Sequence, residues 1–311
     1  MAGTSVRELL REFRSGGNPI QDARRLTFKG VGSLDVYNPT SPFMDEGIPL
    51  LAARVEPRGS EFSRIAFFRE IEGGIWTPLP GAPRFSLQDP FWARIGGELV
   101  LGGVEVFPRQ EGRKGELAWR TILYRGTCLR DLRPFFAGPE GMKDIRLCET
   151  QAGSVALFTR PRGGRAMRGK IGFRLFRSLD RMGTEAIEGS DLLDQLIDRD
   201  WCGANQVMTL EDGRLGVLGH VARFSFRKKR HYYPAAFTLD PATGKAGRWR
   251  IIAERMLLPE GPAKRLDLVD VLFPGGLEQL PGGKARLYLG VSDAEAMSCI
   301  VDDPFADRAR A

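Results

Sequence analysis

Five times along the 311-residue chain an Asn or Asp opens a short apolar run, at Asn38, Asp89, Asp144, Asn205 and Asp270, so the openers lie 51, 55, 61 and 65 residues apart. In the first four cases a polar or charged residue closes the next run 15 or 16 positions later: Arg54 after Asn38, Glu105 after Asp89, Arg160 after Asp144 and His220 after Asn205. Asp270 leads more loosely to Asp293. Self-similarity at such a period is the mark of one supersecondary unit repeated with lengthening loops. Between the markers lie short apolar runs rich in β-branched and aromatic residues, bounded by Gly, Pro, Asp and Asn. Examples are 48–55 and 63–69, 98–107 and 117–125, 154–159 and 170–177, 215–221 and 232–239, and 286–291 and 298–301. Three or four strands per unit suit a propeller blade, and a β-sandwich gives no reason for a polar opener at near-fixed spacing. The expected fold is therefore all-β, a five-bladed β-propeller forming one domain over residues 1–311.

Two helical segments are expected beside the strands. Ser5 can cap a helix whose apolar positions Val6, Leu9, Leu10 and Phe13 share one face before Ser15-Gly16-Gly17 stops it, giving residues 1–30 the character of a closing segment. Leu192, Leu193, Leu196 and Ile197 suggest a second, inter-blade helix between Ser190 and Asp200.

Composition excludes several function classes. No basic start leads into an apolar h-region and no apolar run reaches about 18 residues, so a cytoplasmic protein without a membrane segment is expected. Cys128, Cys148, Cys202 and Cys299 lie far apart with only two histidines to assist, which predicts free thiols and neither metal nor cofactor. The net charge of +7 comes from arginines spread through every unit rather than gathered in a stripe, which disfavours nucleic acid. Only Arg227-Lys228-Lys229-Arg230-His231 forms a run, read as a solvated loop, with recruitment of an acidic or phosphorylated ligand as the alternative.

Innermost strands of a propeller line its central funnel, so the openers and closers should face one another there. That mixture of carboxylates, amides and guanidiniums suits sugars and phosphates. An Asn or Asp before a strand also forms Asx-turns to its own backbone, a purely local role that competes with the functional one at each opener.

The segments Asn38-Pro39, Leu50 to Glu56, Ser63 to Ala66, Gln88-Asp89-Pro90-Phe91, Phe158 to Pro161, Gly169 to Phe173, Trp201 to Gln206 and Gly290 to Asp293 resemble, in order, the β-1,2-mannosyltransferase/phosphorylases of mannogen metabolism. This family was formerly known only as a domain of unknown function and is related to the inverting β-mannoside phosphorylases. The resemblance runs from Asp35 to Phe305. It implies extension of β-1,2-mannan oligomers from GDP-mannose, and their shortening by phosphate to α-mannose 1-phosphate, with inversion at the anomeric carbon. It further implies Asp89 as the proton-transfer residue, at the position of the acid in the phosphorylases' Glu-Asp-Pro-Arg motif. That motif here lacks the first acid and the final Arg, a departure that favours the transferase/phosphorylase branch. Arg160, Lys170 and His220 would hold the phosphate or nucleotide, with Tyr232 or Tyr233 adding a hydroxyl. Asn38, Arg54, Arg64 and Asp293 would grip mannose, with Asp144 and Asn205 as further candidates and Glu105 as a possible second acid. Two rival functions are an inverting β-mannoside hydrolase using Asp89 and Glu105, and a glycan-binding propeller without catalysis.

Overall fold

The computed structural model describes residues 3–17, 20–109 and 115–306. Among them the strands form four sheets; the largest joins two antiparallel runs through the parallel pairing of Arg230–Leu239 with Asp270–Leu280, so that five antiparallel runs, called units below, follow one another in chain order. The first has Asp35–Tyr37 against Ile48–Glu56, then Arg64–Ile71 and Ile75–Pro78. The second runs Gln88–Ile95, Glu98–Pro108, Leu117–Gly126 and Arg133–Ala137. In the third, Arg146–Glu149 is followed by Val155–Thr159, Gly172–Phe176 and Asp191–Leu192. The fourth comprises Trp201–Thr209, Leu215–Phe224, Arg230–Leu239 and Arg250–Ile251. Asp270–Leu280, Lys284–Val291 and Glu295–Asp302 form the fifth, whose outer strand is Gln21–Arg25 from the start of the chain. The result is an all-β, propeller-like fold.

The apolar core is divided among the seams between units, because each sheet must cover both faces. Phe43, Phe67, Leu99 and Ile122 pack between the first and second units, and Phe91, Leu123, Leu147 and Leu157 between the second and third. Phe158, Phe173, Val217 and Phe237 fill the next seam, Leu218, Leu272, Leu287 and Met297 the one after it. Tyr288 of the fifth unit meets Val36, Phe68 and Trp76 of the first. That last seam is also tied by the N-terminal segment, since Gln21–Arg25 joins the fifth unit while Thr27–Phe28 pairs in parallel with Ile75–Pro78 of the first. Its closeness demands glycine: a Cβ on Gly290 would lie 1.6 Å from Asn38 Oδ1, and one on Gly275 1.7 Å from the Pro39 carbonyl oxygen.

The Ser5-capped helix is present as Val6–Ser15, with Ser5 Oγ accepting from Glu8 N at 3.2 Å. Val6, Leu9 and Leu10 bury its apolar face on the fourth unit. The second expected helix is absent from residues 190–200. Helix forms earlier, at Thr184–Glu188, and Asp191–Leu192 instead pairs with Gly172 and Phe173. Leu193 N donates to the Ile171 carbonyl and Leu196 bridges to Thr4, so extended pairing buries Leu196 and half-buries Leu193 against the core. A short apolar run fits either period, and an available strand edge decided it. All four cysteines are free. No helix among the described residues is long and apolar enough to cross a membrane.

Candidate active site

The openers are explained by backbone conformation. Asn38, Asp89 and Asp144 have φ of 50°, 50° and 62°, in the left-handed region that Asn and Asp tolerate better than other side-chain-bearing residues. Asn38 directly follows the strand Asp35–Tyr37, Asp89 is the second residue of Gln88–Ile95, and Asp144 stands two residues before Arg146–Glu149. Asp89 lies in the bulge between Gln88 and Phe91, and Asn205, without a positive φ, in the corresponding bulge between Ala204 and Gln206. The matching bulge of the fifth unit, between Pro274 and Gly276, holds Gly275. Asp270, the fifth marker of the sequence, therefore occupies a different place: it pairs with His231 and accepts from the Tyr233 hydroxyl, away from the other four.

The opening strands of the second to fifth units contact one another, which gathers buried polar side chains at one centre. On one side, Asn38 Nδ2 donates to Asp89 Oδ1 at 2.6 Å and Arg54 Nη1 to the same oxygen at 3.3 Å. Arg54 Nη2 and Nε donate to Glu56 Oε2 at 2.8 and 3.2 Å, and its guanidinium lies 4.9 Å from the Tyr37 ring centre. Glu56 Oε1 accepts from Lys264 Nζ at 2.6 Å and from the Tyr37 hydroxyl. Burial works against the charge on Arg54, but Asp89, Tyr37 and Glu56 outweigh it and hold the guanidinium ionised. Asp293, itself at φ 51°, stands beside this group. Burial raises its carboxyl above the usual value; Arg54 and Lys264 oppose the shift and Asp89 reinforces it.

Across the centre, Arg160 Nη1 donates to Asp144 Oδ2 at 2.6 Å, with Arg146 Nη2 3.8 Å from Asp144 Oδ1. Burial would raise the Asp144 carboxyl, yet Arg160, Lys143 and Arg146 keep it well below the usual carboxylate range. His220 Nδ1 lies 2.8 Å from Asn205 Oδ1, and its ring stacks on Tyr232 with centres 5.1 Å apart. With the amide oxygen accepting, Nδ1 carries the proton and Nε2 presents a lone pair. Burial first, then Arg160, push His220 down to about 3, so the ring is neutral across the physiological range. A neutral His220 brings no positive charge to the centre, and with Nδ1 protonated its Nε2 is an acceptor. Four buried atoms on this side have no hydrogen-bond partner: Asp144 Oδ1, Arg160 Nε, Asn205 Nδ2 and His220 Nε2. Buried polar atoms are ordinarily paired, so such a cluster marks a place for a ligand or water.

Several expected site residues lie elsewhere. Lys170 Nζ is engaged by Asp194 at 2.7 Å and Asp198 at 3.1 Å. Tyr233 points to the face opposite Tyr232, as strand alternation requires, and burial raises its hydroxyl to about 12. Glu105 pairs with Arg120 at 2.7 Å on a part-exposed strand and contributes no second acid to the centre. Arg64 lines a cleft of about 300 Å³ with Ser63, Leu87 and Gln88, and no hydrogen bond joins it to Asp89. Conversely, sequence reasoning missed Glu56, Lys264 and Lys143. Lys143 acts electrostatically on Asp144, His220 and Asp293, which links the two sides; its place directly before an opener was the available signal. No group of three or more His, Cys, Asp or Glu among the described residues is disposed to hold a metal.

The chain is similar in sequence and in fold to known proteins. Residues 12–307 match a family described as protein of unknown function (DUF1861). Among solved structures, a mannose phosphorylase from Leishmania mexicana, MPT-4, in complex with phosphate ion, is 32% identical with a TM-score of 0.87, over 96% of this chain and 93% of that one. MPT-1, a GDP-Man-dependent mannosyltransferase from the same organism, is 29% identical at a TM-score of 0.87, over 98% of this chain and 96% of its own. A β-1,2-mannobiose phosphorylase from Listeria innocua, at 16% identity and a TM-score of 0.61 over 88% and 91% of the two chains, shares the fold. No curated protein sequence matches the chain.

Proposed function

The chain belongs to the DUF1861 family, with glycosyl-transferring enzymes as its structural relatives, and we propose that it is an inverting β-1,2-mannosyltransferase/phosphorylase built as a single five-bladed propeller. In this reading it extends β-1,2-mannan oligomers from GDP-mannose and shortens them with phosphate to α-mannose 1-phosphate, in the cytoplasm. The observation that carries the proposal is the centre's division of labour. A carboxylate, Asp89, is fixed by Asn38 and Arg54, opposite a buried guanidinium and a set of unsatisfied polar atoms.

Asp89 transfers the proton, as acid toward the glycosidic oxygen in phosphorolysis and as base toward the acceptor hydroxyl in synthesis. Asn38, Arg54 and Asp293 surround the reacting mannose. Arg160 and Lys143 supply the positive charge for phosphate, as nucleophile or as the leaving group of the donor. The neutral His220 and Asn205 orient hydroxyls through Nε2 and Nδ2, and Tyr232 flanks them. One displacement inverts the anomeric carbon, so no covalent sugar intermediate is required.

Product analysis of GDP-mannose with β-1,2-mannobiose, followed by added phosphate, tests the reading. Chain growth and then mannose 1-phosphate are expected. Free mannose from mannobiose without phosphate would establish the hydrolase instead, and binding without turnover a glycan-binding protein.

A further inference from the structure

The rim of the fourth unit carries a second concentration of positive charge, outside the centre. Arg7 of the N-terminal helix and Arg168, Arg199 and Arg223 line a cleft of about 230 Å³ with Asp200 and Phe224. At ~30 Å³ of liquid volume per water, this is room for several waters or a phosphate group. Asp200 is the one carboxylate in the lining, and it already accepts from Val6 N at 2.8 Å. Arg7, Arg199 and Arg223 all act on it electrostatically. The nearby acids Asp194 and Asp198 are engaged by Lys170. Four guanidiniums thus face one carboxylate, an imbalance that a bound anion relieves. Arg223 Nε and Nη1 are buried without a hydrogen-bond partner, and a guanidinium fork matches phosphate oxygens in a way few neutral ligands can.

The cleft opens at the same end of the fourth unit as the centre. Trp201 pairs with Ala222, two steps along the strand pair from Gly203 and His220. Phe224, Trp201, Tyr232 and His220 form a row of rings with successive centres 4.7, 5.7 and 5.1 Å apart. Arg168 stacks on Phe224 at 5.2 Å. It precedes Gly169, whose backbone lies against Arg160, since a Cβ there would be 3.0 Å from Arg160 Nε. The loop that leaves the centre at Arg160 therefore returns through this cleft.

We infer that the Arg7, Arg168, Arg199 and Arg223 cleft is a second anion site that binds a phosphate group, separate from the phosphate handled at Arg160. The shared chemistry is a phosphate dianion, carried by inorganic phosphate or by a nucleotide. The inference stands on the cleft alone and does not require mannosyl transfer.

Calorimetric titration of the wild-type protein, an Arg168→Ala/Arg199→Ala variant and an Arg160→Lys variant with inorganic phosphate, mannose 1-phosphate and GDP tests it. Arg168 and Arg199 are exposed, so their replacement leaves the core intact, and an unchanged melting temperature verifies this. Loss of at least tenfold in affinity for one probe in the double variant, with Arg160→Lys retaining that binding, supports the site. A loss confined to GDP identifies the nucleotide as the source, and an equal loss for inorganic phosphate identifies the free ion. The inference is overturned if the double variant binds every probe within twofold of wild type, if Arg160→Lys alone abolishes all binding, or if no probe binds the wild-type protein.

Discussion

The half of the centre contributed by the first, second and fifth units and the half contributed by the third and fourth are both buried and charged, yet they differ in what remains unpaired. In the first half, Asn38, Asp89, Arg54, Glu56, Lys264 and Tyr37 form a continuous network, in which Asn38 Oδ1 is the one fully buried atom without a partner. In the second half, four buried atoms on Asp144, Arg160, Asn205 and His220 remain open. A network of paired charges fixes geometry, because moving any member strands another buried charge. An open one is stable only if something completes it. The comparison assigns rigidity, and hence alignment of the proton-transfer carboxylate, to the first half and ligand capture to the second.

The largest expected effect tests that alignment. Asp89→Asn keeps the shape and the contact to Arg54 but removes the transferable proton, so turnover should fall by about 10²- to 10⁴-fold in synthesis and phosphorolysis alike. Initial rates in the two directions check it; a variant within tenfold of wild type would move the chemistry to another group. Next in size is Arg54→Ala, which leaves Asp89 and one oxygen of Glu56 facing an uncompensated cavity and should destabilise by about 3–5 kcal/mol. His220→Gln should behave in the opposite way. It removes one open acceptor, which weakens substrate affinity by roughly fivefold, the worth of about one hydrogen bond, while stability changes far less than in Arg54→Ala. Denaturant unfolding beside ligand titration decides this, and equal destabilisation by the two substitutions would erase the distinction between the halves.

Titration sharpens it further. The Asp293 carboxyl is raised above its ordinary 3.8, so the folded state favours the protonated form: its contribution is present below 3.8 and is lost as pH rises through the raised value. Asp293→Asn, neutral throughout, should therefore melt a few degrees higher than wild type at pH 7, with the gap closing as pH falls toward 3.8. His220 has the opposite sign. Held down to about 3 from an ordinary 6.5, its neutral form supports the fold above pH 6.5, and that support fades as pH falls from 6.5 to 3. Thermal melts across this range should show the fading in wild type and its reduction in His220→Gln.

Much of this was written locally. The openers Asn38, Asp89 and Asp144 were visible because a left-handed backbone conformation restricts residue type, a constraint each position expresses alone. The strand runs were legible for the same reason. Gly275 as the fifth unit's counterpart of Asn205 was hidden because equivalence there is set by a bulge, which shifts register without changing hydrophobic pattern. Glu56 and Lys264 were hidden by distance, since 208 residues separate partners whose meeting depends on how the first and fifth units close. Between Tyr232 and Tyr233 the sequence left the choice open, because alternation says only that the two face opposite ways; Tyr232 is the one that packs against His220.

Lys170 supplies the smallest expected effect and the control for the whole comparison. Its strand-end position resembles that of Arg160, but its amine is held by Asp194 and Asp198, whose side chains are 61% and 65% exposed. Pairs open to solvent on one side are screened and contribute about 0–1 kcal/mol. Lys170→Ala should thus lower stability by no more than about 1 kcal/mol and leave the KM for phosphate within twofold of wild type. Arg160→Lys, by contrast, should raise that KM tenfold or more, because a compact ammonium lacks the planar fork that holds Asp144 with one N–H while directing others at phosphate. If instead Lys170→Ala weakened phosphate as strongly as Arg160→Lys, Lys170 would have to leave its two aspartates when substrate binds. The capturing half would then extend beyond the third and fourth opening strands to the loop at 193–199.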